Sequence, residues 1–336
     1  MNYPGCYKLL GWNDFFNDEK PNEITTPVFI AESEKTYVHY AIFNKFKASI
    51  ISLSSLYTNL LVEDCIFNDP ITSQSCGCVF NLENITQESK IVQNRICCLN
   101  PVSNSMTELG IYSHIDATNL TYVQMQSSSI NNISGYCACF YHKASQKYND
   151  LNISKSDCEM DPVFMIEDEN NKLETKISYC NFDESASYYR SFYFSKNNFL
   201  IDHCVIQNHE DKMRYADKVN TGVLYFDEAE GKRAIFSNCY IASNKGRLIK
   251  SRAKNFQCMM DHCYLYNNSD ANSWSEFFSN SSISYSNFTL DIRVECISIK
   301  PFYEQPPTPL VRRCVQFLKF SKLRSIMIAI SKSIKN

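Results

Sequence analysis

The feature that most constrains this chain is a short motif that returns through most of its length. It consists of an apolar residue, two mostly polar residues, a cysteine, any residue, and a second apolar residue. The clearest copies centre on Cys65 (Val62 to Phe67), Cys204 (Ile201 to Ile206), Cys239 (Phe236 to Ile241) and Cys263 (Met260 to Leu265), and the copy around Cys180 (Ile177 to Phe182) also fits. Serine takes the marker place in Ile283 to Phe288 (Ser286) and, more weakly, in Met125 to Ile130 (Ser128). Cys97 and Cys158 mark the poorest copies. Successive markers lie 32, 31, 30, 22, 24, 35, 24 and 23 residues apart. The short intervals give the unit, and the long ones read as loop insertions into it.

Apolar residues two apart share one face of a strand. Cys258 with Met260 forms one such pair, Cys263 with Leu265 the next, and the two polar residues between them suit a bend. A third short strand, often opened by glycine, precedes in several units at Gly135, Gly222 and Gly246. Three strands and three bends make one coil of a solenoid, with coils stacked ~4.8 Å apart. Bends rich in Asn and Asp fit left-handed turns and side-chain ladders. A β-sandwich also uses many short strands, but it does not demand a recurring cysteine at near-constant spacing. The expected fold is therefore all-β, a right-handed parallel β-helix over residues 40–300. Around it stand an N-terminal cap or irregular segment (1–39), a proline-rich junction (301–309) and a short helical or disordered tail (310–336). Cys65, Cys180, Cys204, Cys239 and Cys263 are expected to face inward. The charged stretch from His209 to Asn220, which lengthens one interval, is expected to protrude as a loop.

Composition agrees. The chain has 336 residues, 44% hydrophobic and 13% aromatic, with only 8 Gly and 10 Pro, a mix that favours strands over a disordered or collagen-like chain. The net charge of −3 is unevenly spread. From Gln305 onward there are seven basic residues and no acidic one, so the body keeps 26 basic against 36 acidic residues, a net of −10. An acidic body is a poor match for nucleic acid, which is not expected as a partner. No signal-peptide pattern opens the chain, and no apolar run reaches the ~18–20 residues that span a bilayer. Seven Asn-x-Ser/Thr sequons occur, about as many as a chain so rich in Asn and Ser makes by chance.

The tail carries its own pattern. Leu310, Cys314, Phe317, Phe320, Leu323, Met327, Ile330 and Ile334 fall at steps of three or four, one face of a helix, within the basic segment. Two readings stand equal: contact with an anionic membrane surface through residues 310–336, or a cap over the last coil.

The segments Ser237-Asn-Cys-Tyr-Ile-Ala-Ser-Asn and Asp261-His-Cys-Tyr-Leu-Tyr-Asn-Asn resemble the Cys-x-Phe-x-Asn-Asn coils of right-handed parallel β-helix surface proteins of trichomonad protists, which are similar to polymorphic outer-membrane proteins. Asn94-Arg-Ile-Cys-Cys-Leu-Asn and the prolines at 306–309 add to the likeness, which covers roughly residues 40–300. The resemblance implies a pectin-lyase-like solenoid, display at a cell surface and adhesin-like contact with protein or glycan. It carries over no catalytic residue. The chain departs from the pattern in lacking the Gly-Gly-Ala-Ile coil opening, and it shows neither the signal sequence nor the membrane span of many members.

Candidate chemistry is thin. Cys76 with Cys78, and Cys137 with Cys139, each place two thiols on one strand face; zinc is one reading, core packing the other. The marker cysteines read as a buried thiol ladder, because side chains pointing the same way make poor disulfide geometry. His203 and His262 lie between Asp and the marker Cys. Adjacent strand residues face opposite sides, so no Asp-His-Cys set assembles, and the histidines read as outward bend residues. Polysaccharide lyases and glycoside hydrolases share the fold class, and a carbohydrate-active enzyme is the alternative function. It needs paired carboxylates or acidic calcium ligands. Asp161, Glu167, Asp168 and Glu169 read instead as a solvated loop, and Arg252-Ala-Lys254 is a match too short to weigh. No catalytic, cofactor-binding or metal-ligating set is assigned.

Overall fold

The computed structural model describes residues 11–268, apart from the stretches 17–19, 32–33, 73–76, 105–109, 119–120, 136–138, 159–163, 168–173, 188–189, 212–221 and 254, together with 278–280. The chain divides into two compact units, residues 1–18 with 297–336, and residues 19–296. In the first, the helix Trp12–Phe15 starts where the Gly11 amide donates to the Asp14 carboxylate at 2.9 Å, and Trp12 stacks on Phe16 at 4.1 Å.

The second unit is a parallel β-solenoid with three strand faces. The first face stacks Lys35–His39, Asn59–Glu63, Ser89–Asn94 and, further along, Thr175–Ser178, Phe199–Asp202, Arg233–Ser237 and Gln257–Asp261. The second stacks Ile42–Asn44, Ile66–Asn68, Cys97–Leu99 and, further along, Asn181–Ser187, Val205–Gln207, Tyr240–Ala242 and Tyr264–Tyr266. Thr121–Gly135 and Ser145–Cys158 run unbroken through both faces. The third face is a separate nine-stranded sheet in strict chain order, from Ile30–Ala31 to Ile249–Ser251. Among the described residues all strand pairings are parallel, as a coil that returns to its own face must be.

Two columns of left-handed residues turn the chain. One holds Tyr40, Asp64, Arg95, Ser127, Asp150, Tyr179, His203, Asn238 and His262; the other holds Lys45, Asp69, Asn100, Asn132, Lys155, Glu184, Asn208, Ser243 and Asn267. Each member of the second lies five residues after its counterpart in the first. The second column is Asn-rich because a short polar side chain tolerates φ > 0 and bonds locally. Asn100 donates to Asp69 at 2.8 Å and Asn132 to Asn100 at 3.0 Å, a ladder running up the bend.

The residue after each first bend is the marker. Register sets the column as Ala41, Cys65, Ile96, Ser128, Leu151, Cys180, Cys204, Cys239 and Cys263, all buried. The five cysteines expected to face inward do so. Two weaker assignments are corrected. Cys97 pairs with Ile66 and Ser129, so Ile96 holds the marker place, and outward-parity Cys97 is disulfide-bonded. Cys158 pairs with Ser187, seven residues beyond the true marker Leu151. Each marker thiol donates to the carbonyl two residues earlier, as in Cys65 to Glu63 (3.2 Å), Cys180 to Ser178 (3.2 Å) and Cys239 to Ser237 (3.2 Å). Ser128 does the same to Gln126 at 2.8 Å. A small apolar group with one donor suits this place, adding a second bond to a carbonyl that also accepts a backbone N–H from the neighbouring coil, as Glu63 does from Tyr40 at 3.3 Å and Ser237 from His203 at 2.9 Å.

Aromatic rings fill the interior in contact with one another, Phe43 on Phe67 and then Phe80, Tyr112, Phe140 and Phe164. Truncating one such ring to alanine costs ~3–5 kcal/mol.

Three further boundaries differ from the sequence reading. The stack begins before residue 40, because Asn22–Ile24 already pairs with Lys35–His39. At the far end Asn280, not Ser284, lies beside Asp261; Ser286 itself lies outside the described residues. His209 is not in a protruding loop. It is fully buried, its amide bonded to Asn244 at 3.0 Å, and Glu210–Asp211 continues the stack beside Ala186 and Ser187. Its imidazole fills core space that the charge of the following residues concealed. Residues 212–220 of that expected loop lie outside the described residues, as does the 310–336 tail.

Candidate functional site

The first bend changes character along the solenoid. In the early coils it is closed by a charge network. The Glu63 carboxylate, fully buried, accepts from the Tyr37 hydroxyl (2.7 Å), Asn94 (2.6 Å) and Arg95 (2.5 Å), and Arg95 also grips Asp64 at 2.7 and 2.9 Å. Burial raises the Glu63 carboxyl above its ordinary range, against the pull of Arg95.

In the last coils the same bend is open. Tyr179, His203, Asn238 and His262 occupy four successive left-handed positions, and Tyr179 is 53% exposed. Tyr179 stacks on His203 at 4.9 Å. His203 Nδ1 lies 2.9 Å from Asp202, His262 Nδ1 2.7 Å from Asp261, and Asn238 donates to Asp202 at 3.2 Å. Around the corner, on the second face, Tyr240 stacks on Tyr264 at 5.2 Å, and Tyr264 on Tyr266, which is 55% exposed. On the other side Met259 adds an exposed apolar group. The result is a continuous outward corner of tyrosine, imidazole, carboxylate and amide groups.

The sequence reading of His203 and His262 as outward bend residues holds, and Cys204 and Cys263 point into the core behind them. One part of its reasoning is corrected. Asp202 and Asp261 do meet their neighbouring histidines, because a left-handed bend breaks the strand alternation that would separate them. The Tyr240–Tyr264–Tyr266 cluster was not singled out, although their places one and three after the marker put them on the outward face.

Other candidates disperse. Cys78 and Cys139 are both buried in the core, and the coil bearing Ile111 and Tyr112 lies between them; Cys76 and Cys137 lie outside the described residues. Among the described residues no group of three His, Cys, Asp or Glu side chains is arranged to hold a metal. Glu167 ends the strand Phe164–Glu167, paired with Lys143 and Ser195, rather than lying in a loop; Asp161, Asp168 and Glu169 lie outside the described residues. Arg252 is exposed beside Asp227 at 3.5 Å, and Lys254 lies outside the described residues.

A serine–histidine–tyrosine chain does assemble, Ser113 Oγ to His142 Nε2 and His142 Nδ1 to the Tyr148 hydroxyl, both at 2.7 Å. All three residues are fully buried, and burial lowers the imidazole to about 3. It is a buried polar tie across the core. Among the described residues no helix is long and apolar enough to cross a membrane. No protein-family model, curated protein or solved structure matches this chain.

Proposed function

We propose that this chain is a non-catalytic binding solenoid with an adhesin-like role at a surface or interaction interface, docking a protein or glycan on the open corner of its last coils. The observation that carries the reading is that four successive coils present Tyr179, His203, Tyr240 and Tyr264 outward, where the fold needs only short bend residues and polar surface. Tyrosine offers a large rigid contact area with a hydrogen-bonding tip, which is why it is enriched at recognition surfaces. Solenoid faces suit extended ligands because identical positions repeat at each coil.

The test is a glycan array and a cell-surface binding assay with the full chain, comparing wild type with Tyr240→Ala/Tyr264→Ala. Loss of at least tenfold in affinity, with unchanged thermal unfolding, supports the reading; equal binding by the variant removes this corner from it. The alternative is a carbohydrate-active enzyme using Asp202 and Asp261, which stand two coils apart, about 9.6 Å by coil spacing, near the upper limit for an inverting pair. Turnover of a uronic-acid polymer that is abolished by Asp202→Asn would establish that alternative. The basic segment 310–336 is proposed as a contact with anionic lipid, tested by vesicle flotation with and without it.

A further inference from the structure

The outer side of the first face changes character along the stack. Register aligns Lys147, Lys176, Leu200, Ile235 and Met259 in one outward row, which opens on two cations and ends on three apolar residues. Leu200 and Ile235 are half-buried, and Met259 is 40% exposed. The three lie on neighbouring coils and form an unbroken stripe. Apolar side chains scattered singly on a surface need no explanation, but a contiguous stripe marks a place of contact.

Charge is ordered on either side of that stripe. Two residues further along the strands stand Asp202, Ser237 and Asp261; two residues back stand Arg233 and Gln257. Arg233 is exposed, and among the described residues its guanidinium meets no carboxylate. It cannot reach the acids of its own chain, because four strand residues, about 13 Å, separate its row from theirs. Asp202 receives His203 and Asn238, and Asp261 receives His262. A carboxylate offers about four lone-pair sites, so both retain room for a further donor.

This pattern is its own complement. In a second copy laid face to face, related by a two-fold axis running along the stack in the plane of contact, the stripe meets the same stripe. Each flanking row then meets the row from the opposite side. Arg233 of one copy faces Ser237 of the other, between Asp202 and Asp261, each one coil away, about 4.8 Å along the stack. A two-fold axis along the strands would instead set Asp202 against Asp261 and Arg233 against itself. Charge therefore selects the first arrangement. In it Lys147 and Lys176 face their own counterparts, which confines the contact to the later coils.

We infer that the outer first face of the late coils is the interface of a symmetric homodimer, with Leu200, Ile235 and Met259 at its centre and Arg233 of each copy between Asp202 and Asp261 of the other. The stripe is far smaller than the ~800 Å² per partner of a stable complex, so the dimer is reversible and forms at concentrations of about 10–100 μM. Tyr240 and Tyr264 lie around the bend on the second face, outside the contact.

The experiment is sedimentation velocity of the full chain over about 1–300 μM, a range that brackets such an affinity. Wild type is expected to pass from monomer to dimer. Arg233→Glu is expected to weaken association at least about tenfold by setting like charges together, and Asp202→Lys/Asp261→Lys to do the same. An equimolar mixture of these two variants restores opposite charges at both contacts of the pair, and it is expected to dimerise within about threefold of wild type. Thermal unfolding of each variant shows that it is folded. Should the aspartate variant not fold, Arg233→Glu and Ile235→Glu carry the test, and both must weaken association. The inference is overturned if wild type stays monomeric over the range, if Arg233→Glu or Ile235→Glu associates as wild type does, or if the two folded charge variants fail to associate when mixed. Tyr240→Ala/Tyr264→Ala is expected to dimerise as wild type does, so failure of the dimer and failure of the open-corner reading are separate results.

Discussion

The marker position is small in scale and decisive in effect. It must fill a space at the inside of a left-handed bend and add a second donor to the carbonyl two residues back. Cysteine does both, and at Cys65 burial raises the thiol to about 12. Ser128 shows that a hydroxyl can stand in. Cys239→Ser is therefore expected to cost ~1 kcal/mol or less, since the bond to the Ser237 carbonyl survives. Cys239→Leu, wedged between Cys204 and Cys263, is expected to cost ~1–3 kcal/mol by overpacking. Urea unfolding of the two variants checks the order; a serine variant less stable than the leucine one would refute the carbonyl-capping role. The same chemistry explains what could be read in advance. Where the marker is cysteine, the column was legible. Where it is Ile96 or Leu151, any mid-sized apolar residue serves, and nearby Cys97 and Cys158 drew the register one and seven residues away. The Asp–His contacts at the corner were illegible for a different reason: strand parity fails at a residue with positive φ, and φ is not written in the residue type when that residue is His.

At the scale of the element, the first bend is a closed network in the early coils and an exposed corner in the late ones. Closure depends on Arg95, which bonds both Glu63 and Asp64. Arg95→Ala would leave Glu63 charged and buried without a counterion, and the expected loss is ~3–5 kcal/mol. Glu63→Gln in the same chain removes the stranded charge while keeping acceptors for Tyr37, so the double variant is expected to recover a large part of that loss. A double-mutant cycle by denaturant unfolding measures the coupling, and strict additivity would show that the pair is not energetically linked. The pattern of the bends was legible as Asn- and Asp-rich turns. Which bends close over a carboxylate was not, because closure joins Tyr37, Glu63 and Arg95 from three different coils, and their alignment is a matter of register.

Over the whole molecule, the core is a continuous column of apolar side chains crossed by buried polar ties, and two of those ties are histidines. Burial lowers His142 to about 3 and His209 to about 4, against ~6.5 in an unfolded chain. Between those values the unfolded chain takes up protons that the native one refuses, so stability falls as pH falls through the window from ~6.5 to ~4. At pH 5 each histidine is expected to remove about 2 kcal/mol relative to pH 7.5. Chemical unfolding across that range reads the slope, and His209→Gln should flatten it by about half. An unchanged slope in the variant would mean that acid sensitivity arises elsewhere. The solenoid itself was legible because its repeat is a packing rule, restated at every coil. The buried histidines were not, because a charged neighbourhood such as Glu210 and Asp211 looks the same in sequence whether the residue before it turns inward or outward.

The five-residue spacing between the two left-handed columns never varies across nine coils, while the arc that leads from one coil's second bend to the next coil's first runs from 18 residues, Asn132 to Asp150, to 30, Asn208 to Asn238. The solenoid thus has a fixed spine and a free margin. An insertion on the margin lengthens one arc without disturbing the stack. The spine, which a single insertion would throw out of phase, keeps time for every coil above it.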